Sequence, residues 1–313
     1  MQTDNITESD TTDITLEPGI YDLTPSIKEY IEKGIPLSNE VNNIMRTFDS
    51  KYSLDDDINK TGKETILNEL TQSLEGFNLH DADISVEEGI QMAQTINPDL
   101  KIEKFPIVFL WTPTSKGGTA LHGQGCAINI GKIKDPSYAG TMYENIREIT
   151  AHETTHLFLQ QLGVRPSQEE GKSLKKEVLD ILWEEGLATY IESATSVSHK
   201  EIVADADFWL RMVNKWLDAK TFKEKYDVLL ESLEPKYIIW KEDVLKRMHQ
   251  RNLEPFNIDQ LFMTGLLRRP GIGYHLGSYI WEKQVEKAKK EGKTLKDLVM
   301  AGSGQMEEWI KEE

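Results

Sequence analysis

The strongest constraint on how this chain can fold is the confinement of its strand-forming runs. IVFLW (107–111) and CAINIG (126–131) are short apolar blocks rich in β-branched and aromatic residues, with a glycine-containing turn at 116–118 between them. The spacing predicts two or more strands there, the second close to a sheet edge. On both sides the period changes to that of helices. SIKEYIEK, NEVNNIMRTF, GKETILNELTQSL and SVEEGIQMAQTI precede the strands, and 141–162, 174–193, 201–217, 221–233, 241–251 and 274–292 follow them. Pro and Gly at Gly163, Pro166, Pro235, Pro255 and 270–273 mark the breaks. A mostly helical α+β protein is expected. Its parts are a disordered or extended tail over 1–16, an N-terminal helical region over 17–100, a core over 101–200 and a helical C-terminal lobe over 201–313.

With 313 residues, 38% of them hydrophobic, the chain can bury an ordinary core. Its 36 basic and 53 acidic residues leave a formal charge of −17, which argues against nucleic acid and anionic membrane surfaces as main partners. The single cysteine, Cys126, rules out an internal disulfide framework. MQTDNITESDTTD has neither the basic nor the apolar part of a signal peptide, and no run approaches the roughly 20 apolar residues of a membrane span. A cytoplasmic protein is expected as the sequence stands; an exported mature form, its leader removed, is compatible with the same residues.

The segment ITAHETTHLFLQQ (149–161) sets His152 and His156 four residues apart, with Glu153 directly after the first. Helical residues at that spacing are offset by about 40° around the axis and about 6 Å along it, so both imidazoles project toward a common point. Neutral imidazole nitrogens suit one Zn2+ per chain, and Glu153 falls where a carboxylate can take a proton from an attacking water without being a ligand. Two imidazoles hold zinc poorly, and catalytic sites have three protein ligands and an open position. Leu159 stands where the metzincin pattern has glycine, and no histidine follows six residues after His156. The next helical segment, KKEVLDILWEEGLATYIES, supplies adjacent Glu184 and Glu185.

HETTH (152–156) followed by EEGLATY (184–190) resembles the glutamate-ligand zinc peptidases, the gluzincins. In that group a Glu-Gly-aromatic-or-aliphatic-Ala segment on the helix after HExxH carries the third ligand. The resemblance implies a zincin-like catalytic core in which Glu185, the residue before Gly186, completes the ligand set with His152 and His156. Gly186, lacking a side chain, would let its helix lie close to the HETTH helix. GIGYHLGSYIWEK (271–283) is similar to a Gly-Tyr-x-x-Gly-Tyr segment near the C-terminus of a bacterial family of predicted zinc-dependent proteases. That likeness runs loosely from about Phe105 onward and does not cover the helical N-terminal third. The chain departs from these patterns in three places: 28 residues lie between His156 and Glu185, Thr189 stands where an aspartate often follows the ligand, and Ser278 intrudes between Gly277 and Tyr279.

The resemblance implies peptide-bond hydrolysis of a peptide or protein substrate, with Glu153 as general base and then as proton donor to the leaving amine. A hydrogen-bond donor for the oxyanion is expected across the cleft, and Tyr274, Tyr279 and His275 are the candidates. Such enzymes place a sheet edge beside an extended substrate, which makes Ala127, Ile128 and Asn129 the candidate substrate strand. Two rivals remain. A deformylase-like amidase would use Cys126 as a ligand, although 26 positions from Cys126 to His152 is short for that enzyme. A non-catalytic binding or interaction protein on a peptidase-like scaffold has no use for Glu153.

Overall fold

The computed structural model describes residues 16–48, 53–99, 105–113, 117–120, 125–133, 140–166, 173–193, 197–233, 246, 258–259, 261–262, 266–267 and 271–312. In chain order the elements are β1 (Ile20–Asp22), α1 (Thr24–Lys33), α2 (Asn39–Phe48), α3 (Leu54–Thr61), α4 (Lys63–Leu74), α5 (Leu79–Gln94), β2 (Ile107–Leu110), β3 (Gly118–Ala120), β4 (Cys126–Asn129), α6 (Ile130–Ile133), α7 (Met142–Gln161), α8 (Leu174–Ile191), α9 (Val197–Ala204), α10 (Ala206–Asp218), α11 (Phe222–Ser232), α12 (Ile272–Lys290), α13 (Leu295–Met300) and α14 (Met306–Glu312). The protein is mostly helical with one small mixed sheet, as the texture of the sequence predicts. The expected helix over 201–217 is two, α9 and α10, with Asp205 between them. All but the last residue of the expected tail over 1–16 and nearly all of the helix over 241–251 lie outside the described residues. No helix among the described residues is long and apolar enough to cross a membrane.

The chain divides into two compact units, and not at the boundaries the sequence suggests. Residues 1–83 with 103–135 form one, and residues 84–102 with 136–313 form the other. The strands therefore belong with the N-terminal helices, whereas the HETTH helix belongs with the C-terminal ones. Packing explains the first grouping: Val108, Leu110, Trp111 and Ala127 of the sheet region share a core with Ile27, Ile31, Ile44 and Leu70 of the helices before it. Trp111 Nε1 adds a hydrogen bond to Ser73 Oγ at 3.1 Å.

The sheet runs β1-β2-β4-β3, with β1, β2 and β4 parallel and β3 antiparallel to β4. This corrects the edge position expected for CAINIG. β4 is paired on both sides, so the main chain of Ala127, Ile128 and Asn129 is already committed to β2 and β3 and is not free to pair with a substrate. Asn129 is fully buried, and its amide bonds to Thr112 and Gly131. The misplacement arose because β3 begins at Gly118, where a turn was expected, and covers the outer side of β4.

In the second unit, glycines set the helix spacings. A Cβ on Gly186 of α8 would come within 2.5 Å of Gly277 Cα on α12, and one on Gly277 within 2.3 Å of the Leu182 carbonyl oxygen. Gly186 thus serves the approach of α12, not of the HETTH helix as expected. The glycine that lies against the HETTH helix is Gly89 of α5, whose Cβ would sit 2.5 Å from the Arg147 carbonyl oxygen. Beyond the Gly186–Gly277 crossing, Trp281 Nε1 donates to the Trp183 carbonyl at 2.8 Å in the buried core.

Gly277→Ala should lower stability by about 1–3 kcal/mol, the usual range for a methyl forced into a packed contact. Gly304→Ala, where nothing lies within 4 Å of the added Cβ, is the control and should change little. Thermal unfolding of the two variants checks this; equal melting temperatures would mean the crossing is not tight.

Candidate metal centre

Helix α7 starts at a capping box: Thr141 Oγ1 accepts from the Glu144 N–H, and Glu144 Oε2 accepts from the Thr141 N–H. It stops where Gly163 turns the chain with φ 67°. Between these signals His152 and His156 share one face, their ring centroids 5.0 Å apart. Helix α8 begins at Ser173, whose hydroxyl accepts from the Lys176 N–H, and carries Glu184 and Glu185 in its last turns.

The two helices bring three donors together. Glu185 Oε2 lies 3.2 Å from His152 Nε2 and 3.4 Å from His156 Nε2. Tetrahedral zinc with bonds of about 2.0–2.1 Å separates neighbouring ligand atoms by about 3.3 Å, so this donor set fits that ion. All three donor atoms lie within 4.8 Å of one another, and among the described residues no other set of three or more His, Cys, Asp or Glu side chains is so gathered. The Glu185 side chain is 25% exposed and that of His152 14%, so solvent reaches part of the group.

The opposite nitrogens are held as well. His152 Nδ1 lies 2.8 Å from Glu192 Oε2, and His156 Nδ1 lies 2.8 Å from Glu184 Oε1. With the ring protons on Nδ1, each Nε2 presents its lone pair to the shared point, which is how carboxylates orient metal-binding histidines. Glu192, and not the residue at position 189, stands behind His152. It lies seven residues after Glu185, two turns along, and so emerges on nearly the same side of the helix. The Thr189 hydroxyl is buried and, among the described residues, makes no hydrogen bond.

Electrostatics follow from that geometry. Burial works against charge on both imidazoles, yet the carboxylates outweigh it: Glu192 and Glu185 hold His152 well above its ordinary 6.5, and Glu185 with Glu184 raises His156 to about 9. Burial also opposes charge on Glu185, but the two imidazoles hold its carboxyl far below the usual carboxylate range. Without an ion, the ring protons supply the positive charge that a divalent cation could supply instead.

Of the remaining candidates, Tyr274 lies beside His152. It sits in the first turn of α12, with its ring 6.3 Å from the His152 ring. His275 turns to His199 of α9, the two Nδ1 atoms 3.2 Å apart, and burial with the nearby His199 pushes it down to about 3. Tyr279 stands about 140° around the helix from Tyr274, packs on the core and lies under Lys283 Nζ at 5.3 Å. Cys126 is buried in β4, in the other unit, and does not join the donor group. Glu192, His199 and Arg165, which bonds Glu184, were not singled out from the sequence; only Glu192 carries a sequence signal, its two-turn spacing from Glu185. No protein family, curated protein or solved structure matches the chain.

The charges predict an opposite response to pH with and without metal. In the metal-free protein the folded value for His156, about 9, exceeds its ordinary 6.5, so its stabilisation is complete below pH 6.5 and is lost as pH rises through 9. A cation requires the neutral ring and escapes that loss. The rise in melting temperature on adding zinc to chelator-treated protein should therefore grow between pH 6.5 and 9. A rise that shrinks over that range would remove His156 from the ligand set.

Proposed function

We propose that this chain is a zinc-dependent peptidase of the gluzincin type, with a zincin-like core built on α7 and α8. The observation that carries the reading is the convergence of His152 Nε2, His156 Nε2 and Glu185 Oε2, each histidine held from behind by its own carboxylate. A structural site would close all four positions, whereas three donors gather here among the described residues. Bound there, Zn2+ would supply Lewis acidity toward a water and a peptide carbonyl.

The protein's own groups do the rest. Glu153 follows His152 directly on α7 and is half-buried; its negative charge is close enough to raise His152. In this role its carboxylate takes a proton from the attacking water and passes it to the leaving amine nitrogen. Tyr274 is assigned the oxyanion, because its ring is the aromatic group of α12 beside His152. His275, kept neutral by burial and bonded to His199, serves to shape that end of the site. The substrate class is a peptide or protein, and no side-chain preference is assigned.

Glu153→Gln should retain zinc while peptide turnover falls by about 10²–10⁴, the usual contribution of a general base. Metal content by elemental analysis and cleavage of a mixed peptide library by mass spectrometry read the two effects separately. Unchanged turnover in this variant would sink the mechanism, and a wild type that binds peptides without cutting them would favour the non-catalytic scaffold. Tyr274→Phe should lower kcat by about 10²-fold with little change in KM, as expected for a donor used only in the transition state. A change confined to KM would move the oxyanion role elsewhere.

A further inference from the structure

We propose that Arg165 is a positioning residue for this metal centre, acting through Glu184 on His156; the inference rests on the zinc-site reading above. A single oxygen, Glu184 Oε1, accepts from Arg165 Nε at 2.7 Å and faces His156 Nδ1 at 2.8 Å. Glu184 is thus clamped between the ring it orients and a fixed cation.

The cation is fixed because its backbone belongs to the end of the HETTH helix. Past Leu162 the chain takes the left-handed turn at Gly163, and the N–H groups of Val164 and Arg165 both donate to the Leu159 carbonyl at 3.0 Å. Arg165 therefore leaves from the turn that closes α7, just beyond His156. From there it reaches across to α8, so one helix positions both partners of the Glu184 oxygen.

Charge gives the clamp its purpose. A cation on His156 Nε2 requires a neutral ring, and Glu184, whose side chain is only 14% exposed, then faces a neutral N–H donor. Arg165 supplies a positive charge beside this carboxylate and holds its oxygen aimed at Nδ1. Its own side chain is 27% exposed, so solvent partly screens the pair, and any effect on folding is read separately from the melting of the metal-free variants. Its effect belongs to metal affinity.

The test uses the full chain and Zn2+ itself. Affinity is measured by competition with a chromophoric chelator for wild type, Arg165→Ala, Arg165→Lys, Glu184→Gln and the double variant, alongside melting of each metal-free protein. Arg165→Ala should weaken zinc by about tenfold, within the range for losing a partner behind a ligand. Arg165→Lys should recover part of that loss, since a lysine restores charge but not the guanidinium geometry. The double variant should bind no more weakly than Glu184→Gln alone, because Arg165 acts through Glu184. Wild-type affinity in Arg165→Ala overturns the proposal, as do losses that multiply in the double variant. A wild type that takes no zinc overturns it together with the metal reading. Weakened zinc in a protein that cuts no peptide leaves Arg165 in place and removes only the peptidase.

Discussion

Five ionisable side chains, His152, His156, Glu184, Glu185 and Glu192, are gathered where helices α7 and α8 meet, and their mutual compensation is the constraint on which this part of the molecule depends. A buried charge without a partner costs several kcal/mol, and removing one member of a buried pair exposes that cost. Here each imidazole has a carboxylate on either side, and Glu185 answers both rings at once. In the observed rotation of α8 about its axis all three glutamates reach the histidines.

With that face committed to charge, the other faces of the two helices must be packed by backbone and apolar side chains. Gly186 and Gly277 let α8 and α12 cross without side chains between them, and Trp183, Trp281 and Trp309 fill the space alongside. The same crossing carries Tyr274 to within 6.3 Å of the His152 ring. On α7, Gly89 of α5 lies against the backbone at Arg147, five residues before the first histidine. Close approach of backbones at both places leaves these helices little freedom to shift, which suits a site whose donor atoms must keep their spacing to within tenths of an ångström.

Much of the candidate site was legible from local spacing. His152, Glu153 and His156 occupy consecutive turns of one helix, and their relation is fixed by the 3.6-residue period regardless of the surrounding fold. Glu192 was within reach of the same reasoning at two turns from Glu185. The sheet was less legible. A strand's neighbours come from distant parts of the chain, and the three-residue β1 and β3 are too short to show a period of their own. The inner position of β4 follows from β3, whose first residue, Gly118, reads as a turn in the sequence. Gly186 shows the same limit: the absence of a side chain announces a close approach and does not say to which helix.

By itself, then, the sequence determined the mostly helical character, the approximate spans of α7 and α8 with Gly163 ending the first, and the face on which two imidazoles converge. All of these depend on interactions within a few residues. The tertiary structure alone decided that Glu184 and Glu192 stand behind different histidines, that Arg165 shares an oxygen with His156, that Gly186 meets Gly277, and that β4 lies inside its sheet. Each of those depends on how segments far apart in the chain are turned toward one another, and that is settled by burying apolar surface and compensating charge over a whole compact unit, not by any local period.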